Sequence, residues 1–383
     1  MPTSLSALIP TLYAAQDIVS RELVGFIPSV TLDPSSARAA VGDFVDIPIV
    51  PAQASRSIVP GVDSPHDGNH VITKTQISVT KSKAVPITWD GETQRRAENG
   101  IGVNALLVNQ FSQAMRTLVN EIEADLSGEY ATSSRAYGTA GTAPFAIAND
   151  FTDVSMTRKI LADNGAPGDL RMVINTLGGG NIRGRQANSQ VQGGTDLLRQ
   201  GVILDINGVP IRESAAIRRH IKGTGAGATT NAAGYAVGAT VITLASAGTG
   251  TIVAGDIVQF AGDAERYIVS AGDTDVSNGG TITIAAPGLR QALPAAATAI
   301  TVINTSSRMM MFSQSAILLA TRQPAAPSQG DKAIDVYALT DPVSGITFEV
   351  RLYPAYRQFT IEVGLAWAFK NIKPEHTAVL IGE

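Results

Sequence analysis

Residues 43–49 (DFVDIPI) and 71–80 (VITKTQISVT) decide how this chain is read. Each alternates apolar and polar side chains, the pattern of a strand with one covered face. Val45, Ile47 and Ile49 share one face, as do Val71, Thr73, Thr75, Ile77 and Val79; Asp46, Lys74, Gln76 and Ser78 take the other. Between them lies a Pro-, Gly- and Asp-rich stretch, PAQASRSIVPGVDSPHDGN (51–69), too long for a tight turn. Pro48 and Pro86 fit only edge or bulge positions, because proline donates nothing to a ladder. The two strands read as a ribbon with little of its own to pack on, and such a ribbon is marginally stable in water. A neighbouring subunit supplying the missing surface is the simplest remedy, so the ribbon points to a protein that completes its fold in an assembly.

Directly after the ribbon, residues 101–127 read as one continuous helix. Phe111, Met115, Leu118 and Ile122 form a narrow apolar stripe, with Asn104, Gln113, Arg116, Asn120 and Glu123 on the other faces. Gly128 is a natural stop. Before the ribbon, Leu8, Leu12, Ala15, Val19 and Leu23 recur at helical spacing and predict an amphipathic helix over 5–23, either a surface helix or an arm that docks on another subunit.

The bulk numbers agree with contact rather than catalysis. The chain has 383 residues, room for two or three domains or for one with a large insertion, and its 44% hydrophobic content can build a core. Charged residues are only 16%, low for a soluble monomer, and the net charge is −4. A protein gripping nucleic acid through phosphate neutralisation is usually basic, so any nucleic acid is expected to be contained rather than held. There are no cysteines, which excludes disulfides, thiolate catalysis and Cys-based zinc sites. The N-terminal stretch lacks the basic region of a signal peptide, and no apolar run reaches membrane-spanning length.

Further along, 154–163 predicts a helix and 170–175 a buried strand, followed by TLGGGNIRGR, expected as a Gly-rich surface loop. Short strands at 202–206 and 209–211 flank Asn207-Gly208, a tight-turn signal. Composition then shifts. Residues 223–305 contain no lysine and only seven charged residues, and strands are predicted at 239–244, 256–260, 267–270, 281–285 and 299–303. Such evenly spaced short strands indicate a small β-barrel or sandwich inserted into the chain. Two long antiparallel strands, 346–352 and 359–369, joined by 353–358, close the sequence.

Motifs for chemistry are weak. In the Gly-rich segment the third position of a dinucleotide fingerprint falls on Arg183, and Arg185 and Gln186 stand where a phosphate-binding loop has Lys and Ser/Thr. Arg183 and Arg185 are instead available to a neighbouring carboxylate. Asp63, His66, Asp67 and His70 could bind a divalent metal, but Pro65, Gly68 and Asn69 make the segment a turn, and polar turn residues account for it. His220, beside Arg218 and Arg219, reads as a polar contact and His376 as part of an exposed loop. Glu121 and Asp125 fit a solvated helix face; Asp256, Asp263, Asp273 and Asp275 fit turns, with weak calcium binding the outside alternative. No catalytic, cofactor or metal residue is assigned. The residues expected at a subunit interface are Arg56, Asp63, Asp67, Lys74, Arg183 and Arg185.

The order of parts, an arm, a long hairpin, a spine helix, a helix–strand–loop unit, a β-rich insert and long closing strands, resembles the major capsid proteins of tailed phages, the HK97-like fold. The insert narrows the resemblance to the coat-protein family of the short-tailed Salmonella phage. WAFKNIKPEHTAVLIGE (367–383) is similar to that family's closing pattern, and GDIVQFAG (255–262) to a strand of its insert. The resemblance implies an α+β fold divided into an N-terminal arm (1–42), an extended hairpin loop (43–88), a spine helix with a peripheral domain (89–169), the first part of an axial domain (170–222), an inserted β-barrel (223–305) and an axial and peripheral return (306–383). It implies hexamers and pentamers of a shell enclosing double-stranded DNA without sequence-specific binding. It also implies a separate scaffolding protein, because too few residues precede 101 to hold a fused one, and a portal. The setting would be a virion assembled in the bacterial cytoplasm, away from membranes. Lys74, Lys81 and Lys83 raise covalent crosslinking, as in one branch of the fold, but no matching acid-and-Asn constellation is legible. The alternatives are a shell protein of an encapsulin-type compartment, a nucleotide enzyme using the Gly-rich segment, and a secreted carbohydrate-binding protein built on the insert.

Overall fold

A computed structural model describes residues 10–12, 24–49, 73–98, 103–147, 150–186, 205–341 and 345–383. The chain runs β1 (Thr31–Ala39), β2 (Phe44–Ile49), β3 (Thr73–Ser78), β4 (Lys81–Asp90), α1 (Gly91–Glu98), α2 (Val103–Ser127), β5 (Arg135–Tyr137), α3 (Thr152–Asp163), β6 (Leu170–Ile174), α4 (Thr176–Gln186), β7 (Ile211–Glu213) and β8 (Arg219–His220). It continues through β9 (Val241–Thr243), β10 (Ile257–Phe260), β11 (Arg266–Ala271), β12 (Thr281–Ile284), β13 (Ile300–Val302), β14 (Ser306–Ser313), β15 (Ile317–Pro324), β16 (Asp335–Thr340), β17 (Thr347–Ala355), β18 (Gln358–Asn371) and β19 (Thr377–Ile381). The class is α+β.

The longest strand, β18, organises a six-stranded sheet. Residues 358–364 pair with β17 and 366–371 with β15, while β4 pairs along 358–367. A strand has only two edges, so β15 and β17 share one and β4 takes the other. β4 pairs with nothing else among the described residues, which is why Pro86 is tolerated within it. β4 is absent from the expected elements: Lys81–Asp90 mixes Lys, Pro and Trp without a clean alternation, and only the edge of β18 makes it a strand.

Period-2 alternation buries Ile361, Val363, Leu365 and Trp367 on the inner face, with Phe348 and Val350 from β17. Against them lies α2, with Phe111, Met115, Leu118, Ile122 and Leu126 each at most 1% exposed. At 1.5 Å per residue this helix is about 37 Å long. Leu12 of the N-terminal region is helical and fully buried in the same core; the rest of the helix expected over 5–23 lies outside the described residues.

The second sheet is built on β14, which pairs with β19, β6 and β8. All eight of its residues are buried. Met310 and Phe312 face the α2 core, while Met309 and Met311 face a second core with Leu161, Ile174 and Ile182. The strand thus separates two cores, which its unbroken apolar run requires. Asn207 (φ 53°) and Gly208 (φ 72°) make the expected tight turn between Ile206 and Val209.

Within 223–305 the expected strands appear as β9 to β13. β9 pairs β12, β12 pairs β11, β11 pairs β10 and β10 pairs β13. Thr229 bridges Ala299 and Thr230 bridges Leu244, which carries the hydrogen bonding round from β13 to β9. Phe260, Tyr267, Val269, Ile282 and Ile284 fill a separate core. Pairing of β11 with β5 joins these strands to the second sheet.

Two expectations are corrected. TLGGGNIRGR lies wholly in helix α4, not in a loop. One of its glycines is a packing requirement: a Cβ on Gly179 would sit 1.4 Å from Oε1 of Glu213. The link between the closing strands shrinks to Tyr356-Arg357, because Pro354 and Ala355 stay in register with Phe359 and Gln358.

Candidate functional site

The ribbon β2–β3 pairs in the register Phe44↔Ser78 to Ile49↔Thr73. Its root is not free. Ile77 and Val79 are 1% exposed, packed with Ala39 on Leu318, Ala320, Ala366 and Ala368 of the sheet's outer face. The alanines let the ribbon lie close. Val79 N–H donates to Asp43 O at 2.8 Å, and Lys370 Nζ reaches Gln76 O at 3.3 Å. The expectation that the ribbon has little of its own to pack on fails at this root. Val41 and Phe44 nevertheless remain more than 60% exposed beside it.

Of the expected interface residues, Arg56, Asp63 and Asp67, with His66 and His70, lie outside the described residues. Lys74 is exposed and pairs with Asp46 at 2.7 Å across the ribbon; this bond and one from Gln76 hold the Asp46 carboxyl below its usual value. Arg183 forks onto the buried Glu213 of its own chain, at 3.0 Å through Nη1 and with a second bond through Nη2. Arg185 lies in the last turn of α4, and its side chain is outside the described set.

By local pattern Glu121, Asp125, Glu123 and Asp256 are ordinary solvated or turn acids. All four bind other elements. Lys81 Nζ lies 2.8 Å from both Glu121 and Asp125, Lys83 Nζ is 2.6 Å from Glu121, and Trp367 Nε1–H donates to Asp125 at 2.9 Å. Lys81 also stands 5.8 Å from the Trp367 ring centroid. This cluster ties α2 to the edge strand β4. Glu123 is 2% exposed and accepts the backbone N–H groups of Gly25, Phe26 and Ile27 at 2.6, 2.7 and 3.1 Å. Burial pushes its carboxyl above 4.5 despite those bonds.

Asp256 is fully buried where 223–305 leaves the body. It accepts from Gly223 N–H at 3.1 Å and Val253 N–H at 2.8 Å. Its Oδ1 also pairs with His220 Nε2 at 2.8 Å, and His220 Nδ1 lies 2.8 Å from the Tyr130 hydroxyl. Lys222 N–H donates to Thr305 Oγ1 at 3.2 Å, so the two ends of the segment meet. Arg308, 1% exposed beside them, is pushed down to about 10 by burial. The recoverable signal for this knot is the pairing of a lone His with one of the few acids in a sparsely charged segment. His376, expected in an exposed loop, is in a 3-10 turn with Nδ1 buried.

On the outer sheet face, Glu349 is 1% exposed and is held by Arg38 and by Arg351, whose Nε lies 3.1 Å away; Arg351 also binds Asp331. Glu349, Arg351 and Asp331 line a cleft of about 260 Å³. Among the described residues no three His, Asp or Glu are grouped to hold a metal ion, and no helix is long and apolar enough to cross a membrane.

No protein-family model matches this chain, and no curated protein matches it. Solved structures do. One from Mycobacterium phage Che8 is 14% identical over 88% of this chain and 84% of its own, with a TM-score of 0.45. The capsid of the cyanophage P-SCSP1u is 10% identical over 92% and 86%, TM-score 0.48. A virus-like particle from Pyrococcus furiosus is 9% identical over 97% and 98%, TM-score 0.45.

Proposed function

We propose that this chain is the major capsid protein of a tailed bacteriophage and builds the icosahedral shell around its double-stranded DNA. One observation carries the reading. A two-stranded ribbon, preceded by β1 and followed through β4 by the long helix α2, is rooted on the outer face of a sheet whose inner face packs that helix. This is the element order of the HK97-like resemblance. On this reading α2 is the spine helix, 223–305 is an inserted β-barrel, and the boundaries at 42, 88, 169, 222 and 305 separate arm, extended loop, peripheral, axial and inserted parts.

The mechanism is geometric. Exposed apolar groups at the ribbon root and the edge of β4 that pairs with no described residue are surfaces that a sister copy can cover. Each contact is weak, and a shell sums many. A low charge density leaves the interior able to enclose DNA without trapping it. Hexamers and pentamers, a separate scaffolding protein, a portal, and assembly in the bacterial cytoplasm belong to the same proposal.

Electron microscopy of the purified protein tests it. Closed shells are expected from the full chain, and a folded, soluble protein that forms none is expected once 51–69 is deleted. A rigid monomer at high concentration overturns the reading.

A further inference from the structure

We propose that the charged cleft on the outer face of the six-stranded sheet receives a Lys or Arg side chain from a second copy of this chain, with Glu362 as its counter-ion. The inference rests on the shell reading above and names one contact within it. Glu362 lines the cleft with Lys83, Asp331, Glu349 and Arg351. Each cation there is committed. Lys83 binds Glu121; Arg351 binds Glu349 and Asp331; the neighbouring Arg38 binds Glu349. Glu362 stands opposite Arg351 in the β17–β18 register, yet it has no hydrogen-bond or ion-pair partner among the described residues.

The charge balance sets the occupant. Lys81 and Lys83 offset Glu121 and Asp125 in their own cluster. That leaves three carboxylates, Asp331, Glu349 and Glu362, against two guanidiniums, Arg38 and Arg351, so the cleft lacks one positive charge. A divalent ion wants several free oxygens, and only one carboxylate is free. A long cationic side chain fits better, because its head needs one counter-ion and its stem needs apolar wall. Ala84, Pro324 and Ala325 supply that wall. Gly364 keeps the floor low: a Cβ there would meet Pro324 Cγ at 3.2 Å. A second hollow, lined by Arg38, Phe44 and Asp46, carries the exposed ribbon root, and Arg38 reaches from it to Glu349 of the cleft, so exposed apolar surface suited to a protein partner lies close by.

The test compares wild type with Glu362→Gln and Glu362→Lys in assembly followed by light scattering and electron microscopy, with thermal unfolding as the control for folding. Glu362→Gln is expected to raise the protein concentration needed for assembly several-fold and to weaken its dependence on salt. Glu362→Lys is expected to block assembly, and both variants should melt with wild type. Carbodiimide coupling of wild-type shells gives a second readout, in which an intermolecular link from Glu362 to a lysine supports the contact. Unchanged assembly of both variants with no such link overturns the inference while leaving the shell reading intact. A Glu362→Gln defect that chelator or polyamine removal reproduces in wild type overturns it in favour of a free cation. A wild type that forms no shell overturns both.

Discussion

The carboxylate of Glu123 accepts the backbone N–H of Phe26 at 2.7 Å, across 97 residues of sequence. With the N–H groups of Gly25 and Ile27 it makes one side chain of α2 the clasp for the start of the 3-10 turn Ile27–Ser29. Phe26 then stacks on Phe312, its ring centroid 6.2 Å away. Glu123→Ala strands three buried donors and is expected to cost about 3 kcal/mol or more in denaturant unfolding. Glu123→Gln keeps an acceptor for two of them but turns its NH₂ toward the third, so a smaller loss is expected.

The same clasp sets a pH dependence. Burial raises the Glu123 carboxyl above 4.5, and it does the same to Glu129, where it outweighs the N–H of Asn371. Between 4.5 and the raised values the folded chain holds protons that the unfolded chain has released. Stability contributed by these two groups therefore increases as pH falls through that window and decreases as pH rises through it. Asp331 acts oppositely: the Ala333 N–H first, then Tyr353 and Arg351, lower its carboxyl, and that stability is lost as pH falls below 3.8 toward its lowered value. The melting temperature is expected to rise from neutral toward mildly acid pH and then fall, and Glu123→Gln should flatten the first limb.

Two neighbouring glycines of α4 should respond with opposite sign. A Cβ on Gly179 would overlap Oε1 of Glu213 and break its fork with Arg183, while one on Gly180 meets nothing within 4 Å. Gly179→Ala is expected to destabilise by about 2–4 kcal/mol, as for breaking a buried pair. Gly180→Ala should stabilise by roughly 0.5–1 kcal/mol through helix propensity. Thermal melts of the two variants decide it.

His220→Ala removes the link between Tyr130 and the fully buried Asp256. The expected loss is about 2–4 kcal/mol. Because Asp256 also fixes Gly223 and Val253, limited proteolysis should cut first near the ends of 223–305 in the variant and not in wild type.

Local periodicity was enough for much of the fold. Val45 and Ile47 alternating against Ile77 and Val79 marked the ribbon; Phe111, Met115, Leu118 and Ile122 marked the helix; Ile361 to Trp367 marked the core strand. The sparsely charged run after Gly223, with its evenly spaced short apolar stretches, marked the strands of the insert. Side-chain charge was misread wherever its partner was remote. Glu123 looks like any polar helix residue until Gly25–Ile27 is laid across it, and Lys81 is a strand residue only because β18 offers an edge.

By itself, then, the sequence determined the ribbon, the long helix α2, the strands of the insert and the two closing strands, with their apolar faces, since those depend on side-chain spacing along a few neighbouring residues. Only the tertiary structure decided that the ribbon root lies on Ala366 and Ala368, that the glycine run is a helix fitted around Glu213, and that the buried acids clasp distant backbone. Those outcomes depend on which groups meet after long loops close, and burial of a charge is tolerated only where its donors arrive with it.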